Sequence, residues 1–349
     1  MSLMTKTPFK HSKTSIDKAG NFLKSKTEGD LSSPLAILSD WRTYHVQPLE
    51  AFANTLRKRV KKISLSSNVV VAQRLKRTQS IIMKLQKHPT MRLSTMQDIG
   101  GLRAVLETMD EVKALVDLYR TSKTKHTLFS VNDYMAGPKP DGYRSIHLIY
   151  KVETTAQVFI EIQIRTHLQH IWATAVEVFG TLKQSSFKTG IGEARWLELF
   201  SMLSEVFVVK EVEQSPPLRT DASKERLLKK LKKSIKDLRA IEQLSVYTSA
   251  YKIISQHQRT PGRSGHYSLI ILNSKDSTIE VKTFGAEQME QATDLYLEHE
   301  KQFFQDSDIN VVLVNTGNVK KLEAGYPNYF MDTKILVQYL SKIMLDEFI

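Results

Sequence analysis

From Val158 to Thr166 the chain reads Val-Phe-Ile-Glu-Ile-Gln-Ile-Arg-Thr. Apolar and polar positions alternate there, which is the period of a strand with one buried face. Glu161, Gln163 and Arg165 therefore share the opposite face. Upstream, Leu148–Val152 and Thr127–Tyr134 read as further strands. Helical spacing dominates elsewhere. After Ser33-Pro34 it carries Leu38, Trp41, Tyr44, Leu49, Phe52 and Leu56. It predicts a helix over Val69–Lys87, another over Thr108–Ser122, one following Arg165, in which Trp172 is a core residue, and one over Gly192–Val209. Ser215-Pro216-Pro217 marks a boundary. Beyond it, Glu225–Leu244 is amphipathic, with Leu227, Leu231, Ile235 and Leu238 on one side and a lysine face that solvation alone would explain. Strands over Tyr267–Leu272, Thr278–Phe284 and Ile309–Asn315 alternate with helices over Ala286–Phe304 and Asp332–Phe348. The expected fold class is α/β (α+β), a mixed sheet flanked by helices plus a small α+β C-terminal module. The expected division is a flexible basic arm over 1–33 with room for one short helix, a main domain over 34–214, a linker and amphipathic helix over 215–245, and a regulatory module over 246–349.

Composition narrows this picture. A length of 349 residues suits two domains. The absence of cysteine excludes disulfides and thiolate metal sites, and it fits a reducing cytoplasm. No run of about 18 apolar residues occurs, so no membrane span is expected, and the N-terminus has no apolar core of a secretory signal. The formal net charge of +13 favours polyanionic partners, with simple solubility as the plain alternative.

The candidate chemistry gathers around one run. Lys139-Pro140-Asp141-Gly142-Tyr143-Arg144-Ser145-Ile146-His147 is a turn that presents an aromatic, an arginine and a histidine just before a strand. Arg74, Arg77, Ser80 and Lys84, at intervals of three and four, share a face if Val69–Lys87 is helical, with Lys76 at its flank. Such a row of cations suits a triphosphate; scattered surface charge is the bland alternative. Asp98-Ile99-Gly100-Gly101-Leu102-Arg103 opens a strand with a carboxylate and two glycines that let phosphates approach. Arg57, Lys58, Arg59, Lys61 and Lys62 form a dense basic cluster, either a solvated helix face or a grip on a phosphate backbone. His167 and His170 read as hydrogen-bonding or phosphate residues rather than zinc ligands, since no third ligand converges in sequence.

The Lys139–His147 loop and the Glu161–Thr166 strand together closely resemble the RelA/SpoT synthetase signature, a KPNGYxSxH-like loop followed by an ExQIRT strand. Asp141 stands where that family usually has Asn. Arg74–Lys84 and Asp98–Arg103 resemble two more of its elements. The resemblance implies a RelA/SpoT nucleotidyltransferase-like domain that transfers pyrophosphate from ATP to a ribose 3′-hydroxyl with Mg²⁺. Asp98 and Glu161 are then the metal ligands, and Glu161 also a base candidate. Arg74, Lys76, Lys84, Arg103 and Arg165 would neutralise phosphates, His147 would touch phosphate or ribose, and Tyr143, with Arg144, would hold the acceptor base. No His-Asp dipeptide occurs, so no hydrolase activity is expected. Tyr326-Pro327-Asn328-Tyr329 resembles the YxxY motif of fused toxin–antitoxin members of the CapRel type. That likeness implies a toxin acting on the tRNA CCA end, restrained by its own C-terminal antitoxin module through Tyr326 and Tyr329 and released by a phage structural (capsid) protein. Arg57–Lys62 would then contact the acceptor stem. The alternatives are a small alarmone synthetase making (p)ppGpp or (p)ppApp, and a non-catalytic RNA-binding protein. For Tyr326 and Tyr329 the alternative is packing within their own module.

Overall fold

The computed structural model describes residues 9–25, 30–182, 194–212, 221–238, 240–241, 267–273, 278–303, 309–314 and 334–348. Tyr326 and Tyr329 lie outside them. The central element is a five-stranded mixed sheet in the order β1-β2-β5-β4-β3. Its strands are β1 (Val70–Leu75), β2 (Gly100–Leu106), β3 (Thr127–Asp133), β4 (Ile146–Lys151) and β5 (Phe159–Thr166). Only β2 and β5 pair in parallel.

The β5 alternation divides the sheet's two faces. Ile160, Ile162 and Ile164 are fully buried in one apolar core with Leu102, Ala104, Leu148 and Tyr150. Helices α3 (Val46–Ile63) and α5 (Met109–Thr121) contribute Phe52, Leu56, Val112 and Leu115 to that core. Thr108 and Glu111 cap α5 reciprocally, satisfying two otherwise orphaned amides. Over the other face run α6 (His167–Leu182) and α7 (Ala194–Val212). With α8 (Asp221–Asp237) and the last helix they bury a second cluster around Trp172, Phe200, Phe207, Leu231 and Leu340.

Two expectations need correction. The stretch Val69–Lys87 is not one helix. Its first part is β1, which pairs antiparallel with β2, and only Thr78–Lys87 forms α4. Non-local pairing with β2 overrides the helical propensity of Gln73-Arg74-Leu75-Lys76. The arm expected over residues 1–33 does hold a short helix, α1 (Lys13–Lys24), capped by Ser12, but that helix is docked rather than flexible. Ile16, Ala19 and Leu23 are buried, and Asp17 accepts bonds from both the amide and the hydroxyl of Ser94. Apolar residues spaced at three and four among many lysines were enough to dock it.

The C-terminal strands β6 (Tyr267–Asn273), β7 (Thr278–Phe284) and β8 (Ile309–Val314) form a second sheet, ordered β7-β6-β8. With α9 (Met289–Gln302) they lie against the first sheet, β8 beside β1. Leu269, Tyr296 and Val311 join the same apolar core as β5. The final helix, α10 (Lys334–Met344), packs on α6 and α8.

Candidate active site

Strand register builds the site in rows. Arg74 on β1, Gly101 on β2 and Glu161 on β5 lie side by side. One step along, Arg103, Gln163 and His147 form the next row. Arg165 follows on β5. All of these stand on the face opposite the isoleucine core. Arg74 thus reaches the site from a strand, not from the helix face expected for it.

Asp98 sits just before β2, where the β1–α4 connection passes. Lys76 Nζ lies 3.1 Å and Lys84 Nζ 2.8 Å from its Oδ2. Burial raises the Asp98 pKa, but the two lysines outweigh it and hold the carboxyl down to about 2. Burial lowers Lys76 despite Asp98, helped by repulsion from Arg74 and Lys84. Oδ1 of Asp98 is buried and has no hydrogen-bond partner.

Glu161 has both oxygens engaged. Nδ1 of His147 lies 3.0 Å from Oε1, and Gln163 donates to Oε2 at 2.8 Å. Burial opposes its ionisation, yet His147 prevails and the pKa falls below the usual carboxylate value, with Asp98 pushing the other way. The chain continues outward, since the Tyr143 hydroxyl is 2.8 Å from His147 Nε2. A neutral histidine protonated on Nδ1 satisfies both contacts, donating to Glu161 and accepting from Tyr143.

The loop that presents Tyr143 is rigidly built. Gly142 adopts φ +90°, a conformation side chains rarely take. Asp141 accepts from the Tyr143 amide at 2.9 Å, the role Asn would fill. Ser204 of α7 donates to the Gly142 carbonyl at 2.6 Å. Trp172 is core, as expected, and also walls the loop, 6.3 Å from the Tyr143 ring centroid. Lys139 Nζ lies 4.9 Å from the Tyr143 ring centroid. Burial raises the Tyr143 pKa, with Arg165 opposing.

Arg165 is 2% exposed, and its Nη2 meets His170 Nδ1 at 2.5 Å. Burial, Arg103 and Arg74 all lower its pKa. Its Nε is a buried donor without a partner. Three guanidinium groups on one sheet face create a positive potential that suits phosphate oxygens.

Not every sequence candidate arrives here. Arg144 turns inward, 2.7 Å from Glu211 of α7. Glu211 also accepts from Thr166 and Gln169. Arg57, Lys58, Arg59, Lys61 and Lys62 lie on α3, behind the sheet. Arg57 bonds Asn54, and Arg59 stacks over Tyr119, its Cζ 4.0 Å from the ring centroid. Gln163 and Glu211 were missed as site residues. The alternation of β5 already placed Gln163 beside Glu161, whereas nothing in sequence joins Glu211 to a loop 67 residues away.

Asp98 Oδ1, a buried anionic oxygen without a hydrogen-bond partner, and the ionised Glu161 nearby are hard oxygen donors that fit a divalent cation such as Mg²⁺. Among the described residues no group of three or more acidic or histidine side chains is placed to hold a metal alone. Such an ion would rely on substrate phosphates as well.

Comparison with known proteins agrees in position. Residues 73–185 match the profile described as the region found in RelA / SpoT proteins. GTP pyrophosphokinase YjbM of Bacillus subtilis is 36% identical over 111 residues, 30% of this chain and 52% of that protein. GTP pyrophosphokinase of Escherichia coli is 32% identical over 122 residues, 35% of this chain and 16% of that protein. The chain thus spans about half the length of the first of these and less of the second. Small alarmone synthetase 1 of Bacillus subtilis, solved with its product pppGpp, shows 25% identity, covering 50% of this chain and 94% of that one, at a TM-score of 0.43. No helix among the described residues is long and apolar enough to cross a membrane. The matched residues 73–185 take in β2, β3, β4 and β5 and the second half of β1, so this stretch is similar to the region found in RelA / SpoT proteins.

Proposed function

We propose that the chain is an ATP-dependent pyrophosphokinase without hydrolase activity, with residues 34–214 as the catalytic domain. The observation that carries this is the set of Arg74, Arg103 and Arg165 on one sheet face with Glu161, close to Asp98. Phosphoryl-type transfer rests on positioning and charge neutralisation, and this face supplies both. ATP is the donor. The acceptor 3′-oxygen bonds to the β-phosphorus, the bond from that phosphorus to the α,β-bridging oxygen breaks, and AMP leaves. Glu161 takes the hydroxyl proton, and His147 holds that carboxylate in place. Arg74, Lys76, Lys84, Arg103 and Arg165 bind phosphate oxygens, and Tyr143 stacks on the acceptor base. Mg²⁺, held by Asp98 and Glu161 with the phosphates, would neutralise charge on the transferred group.

The finer reading is a cytoplasmic toxin that modifies the 3′ end of tRNA. Residues 246–349, including Tyr326 and Tyr329, restrain it as an antitoxin module, and a phage structural protein releases it in antiviral defence. The net charge of +13 supports a large polyanionic acceptor. Docking of α9 on the β1–α4 connection supports restraint. The second reading is an alarmone synthetase acting on a guanosine or adenosine nucleotide, favoured by the name GTP pyrophosphokinase carried by the relatives.

The test is γ-labelled ATP with deacylated tRNA, GDP, GTP and AMP competing as acceptors. Label at the tRNA 3′ end with matching AMP release is the expected result. Label on a free nucleotide alone selects the second reading. No AMP from any acceptor, with residues 246–349 present or removed, sinks both.

A further inference from the structure

Helix α8 has a second side that the function described above leaves unused. Leu227, Leu231, Ile235 and Leu238 face inward to the cluster around Trp172. On the opposite side Arg226, Lys229, Lys230, Lys233 and Lys236 are exposed. Steps of 100° per residue put these five cations within about a third of the helix circumference, along about 15 Å of axis. Among the described residues none of the five is in an ion pair, and two of the carboxylates nearby are used elsewhere. Asp237 meets Arg195, and Asp346 meets Lys232 at 2.6 Å. Glu225 and Asp237 are the anions on or beside this face.

The face leads to the acceptor loop. Arg226 and Lys230 line a cleft of about 650 Å³ between α8 and α7, with Ser201, Ser223 and two carboxylates, Glu198 and Glu205. Ser201 is also one of two α7 residues against which Gly142 packs, and the other, Ser204, holds the Gly142 carbonyl. From the cleft to the Tyr143 loop is therefore one helix thickness, about 10 Å. The other basic cluster, on α3, lies across the sheet from that loop, and two of its five members are engaged internally.

We propose that the exposed face of α8 is the docking surface for the phosphate backbone of an RNA, placing an RNA end at the α7–α8 cleft beside Tyr143. This rests on the acceptor-transfer reading above for its purpose, though not for the binding itself. No large apolar side chain is exposed on α8 to enter a bilayer, which favours a hydrated polyanion over a lipid surface.

The test measures binding of the full chain to a labelled 20-nucleotide polyuridylate across a salt series. The proteins are the wild type, the triple variant Lys229→Glu, Lys230→Glu, Lys233→Glu, and the α3 triple variant Lys58→Glu, Lys61→Glu, Lys62→Glu. The α8 variant is expected to lose about tenfold or more in affinity and to flatten the salt slope by about 2, the share of three phosphate contacts. The α3 variant is expected to stay near wild type. Three results overturn the proposal: no RNA binding by the wild type, equal binding by the α8 variant with an unaltered circular dichroism spectrum, or binding to phosphatidylserine vesicles without binding to RNA. AMP release by the wild type is scored separately, so failure of the transferase reading is told apart from failure of the docking surface.

Discussion

Both oxygens of Glu161 are occupied, by His147 and Gln163, so its charge is held in a fixed direction. Glu161→Gln keeps the shape and removes the acceptor for a hydroxyl proton. Turnover is expected to fall by about 10²-fold or more with little change in melting temperature, the range for loss of an acid–base group. His45 supplies a different residue-scale prediction. It is fully buried where α2 (Ser32–Tyr44) meets α3, with Nδ1 donating to the Trp41 carbonyl at 2.7 Å. Burial first, and Arg42 beside it, lower its pKa to about 4. The unfolded chain therefore binds a proton that the folded chain refuses. Stability is fully present above pH ~6.5 and is lost as pH falls toward ~4, by on the order of 3 kcal/mol. Chemical denaturation at a series of pH values checks this, and His45→Gln should flatten the curve within that window.

Elements differ in how openly the sequence declares them. The β5 alternation gave its strand, its buried isoleucines and its polar row, because one face against a core imposes period two. The β1 segment did not, because Gln73-Arg74-Leu75 suits a helix locally and becomes a strand only by pairing with β2. Arg74 consequently reached the site by an unforeseen route, while Arg144 was drawn inward by Glu211, a partner from a distant helix. The Lys139–Tyr143 turn was legible from its Pro, Asp and Gly, though its dependence on α7 was not. A Cβ at Gly142 would stand 3.0 Å from Ser204 Cβ and 3.3 Å from Ser201 Cα, at a φ that L-residues avoid. Gly142→Ala is expected to destabilise the fold by about 1–3 kcal/mol. It should also weaken acceptor use more than ATP use, readable as separate KM values.

At the scale of the whole molecule, one buried ion pair ties α2 to α9. Arg42, 1% exposed, lies 2.5 Å from Glu300 of α9 and also bonds Thr78, the Lys76 carbonyl and Tyr296. The other oxygen of Glu300 accepts from the Thr78 amide at 2.6 Å, at the start of α4. Burial disfavours the Arg42 charge, but Glu300 and Tyr296 outweigh it. Glu300→Ala leaves that buried charge without its carboxylate, and breaking a buried pair in this way costs about 3–5 kcal/mol. Hydrogen exchange should then quicken in α9 and β8 well before β5, and a restrained enzyme should become more active. Unchanged exchange in α9 would show that the pair does not hold the module down.

The distance along the chain between those partners has a consequence for synthesis. Tyr296 leaves the ribosome 254 residues after Arg42, which at about 5–20 residues per second is roughly 13–50 s. The last strand of the first sheet ends at Thr166, 130 residues before Tyr296, so for roughly 7–26 s of that interval the sheet can assemble while Arg42 has neither its carboxylate nor its phenol, and α4 has no acidic cap. Each newly made molecule therefore passes through a period in which the cationic row exists and the segment that packs beside it does not.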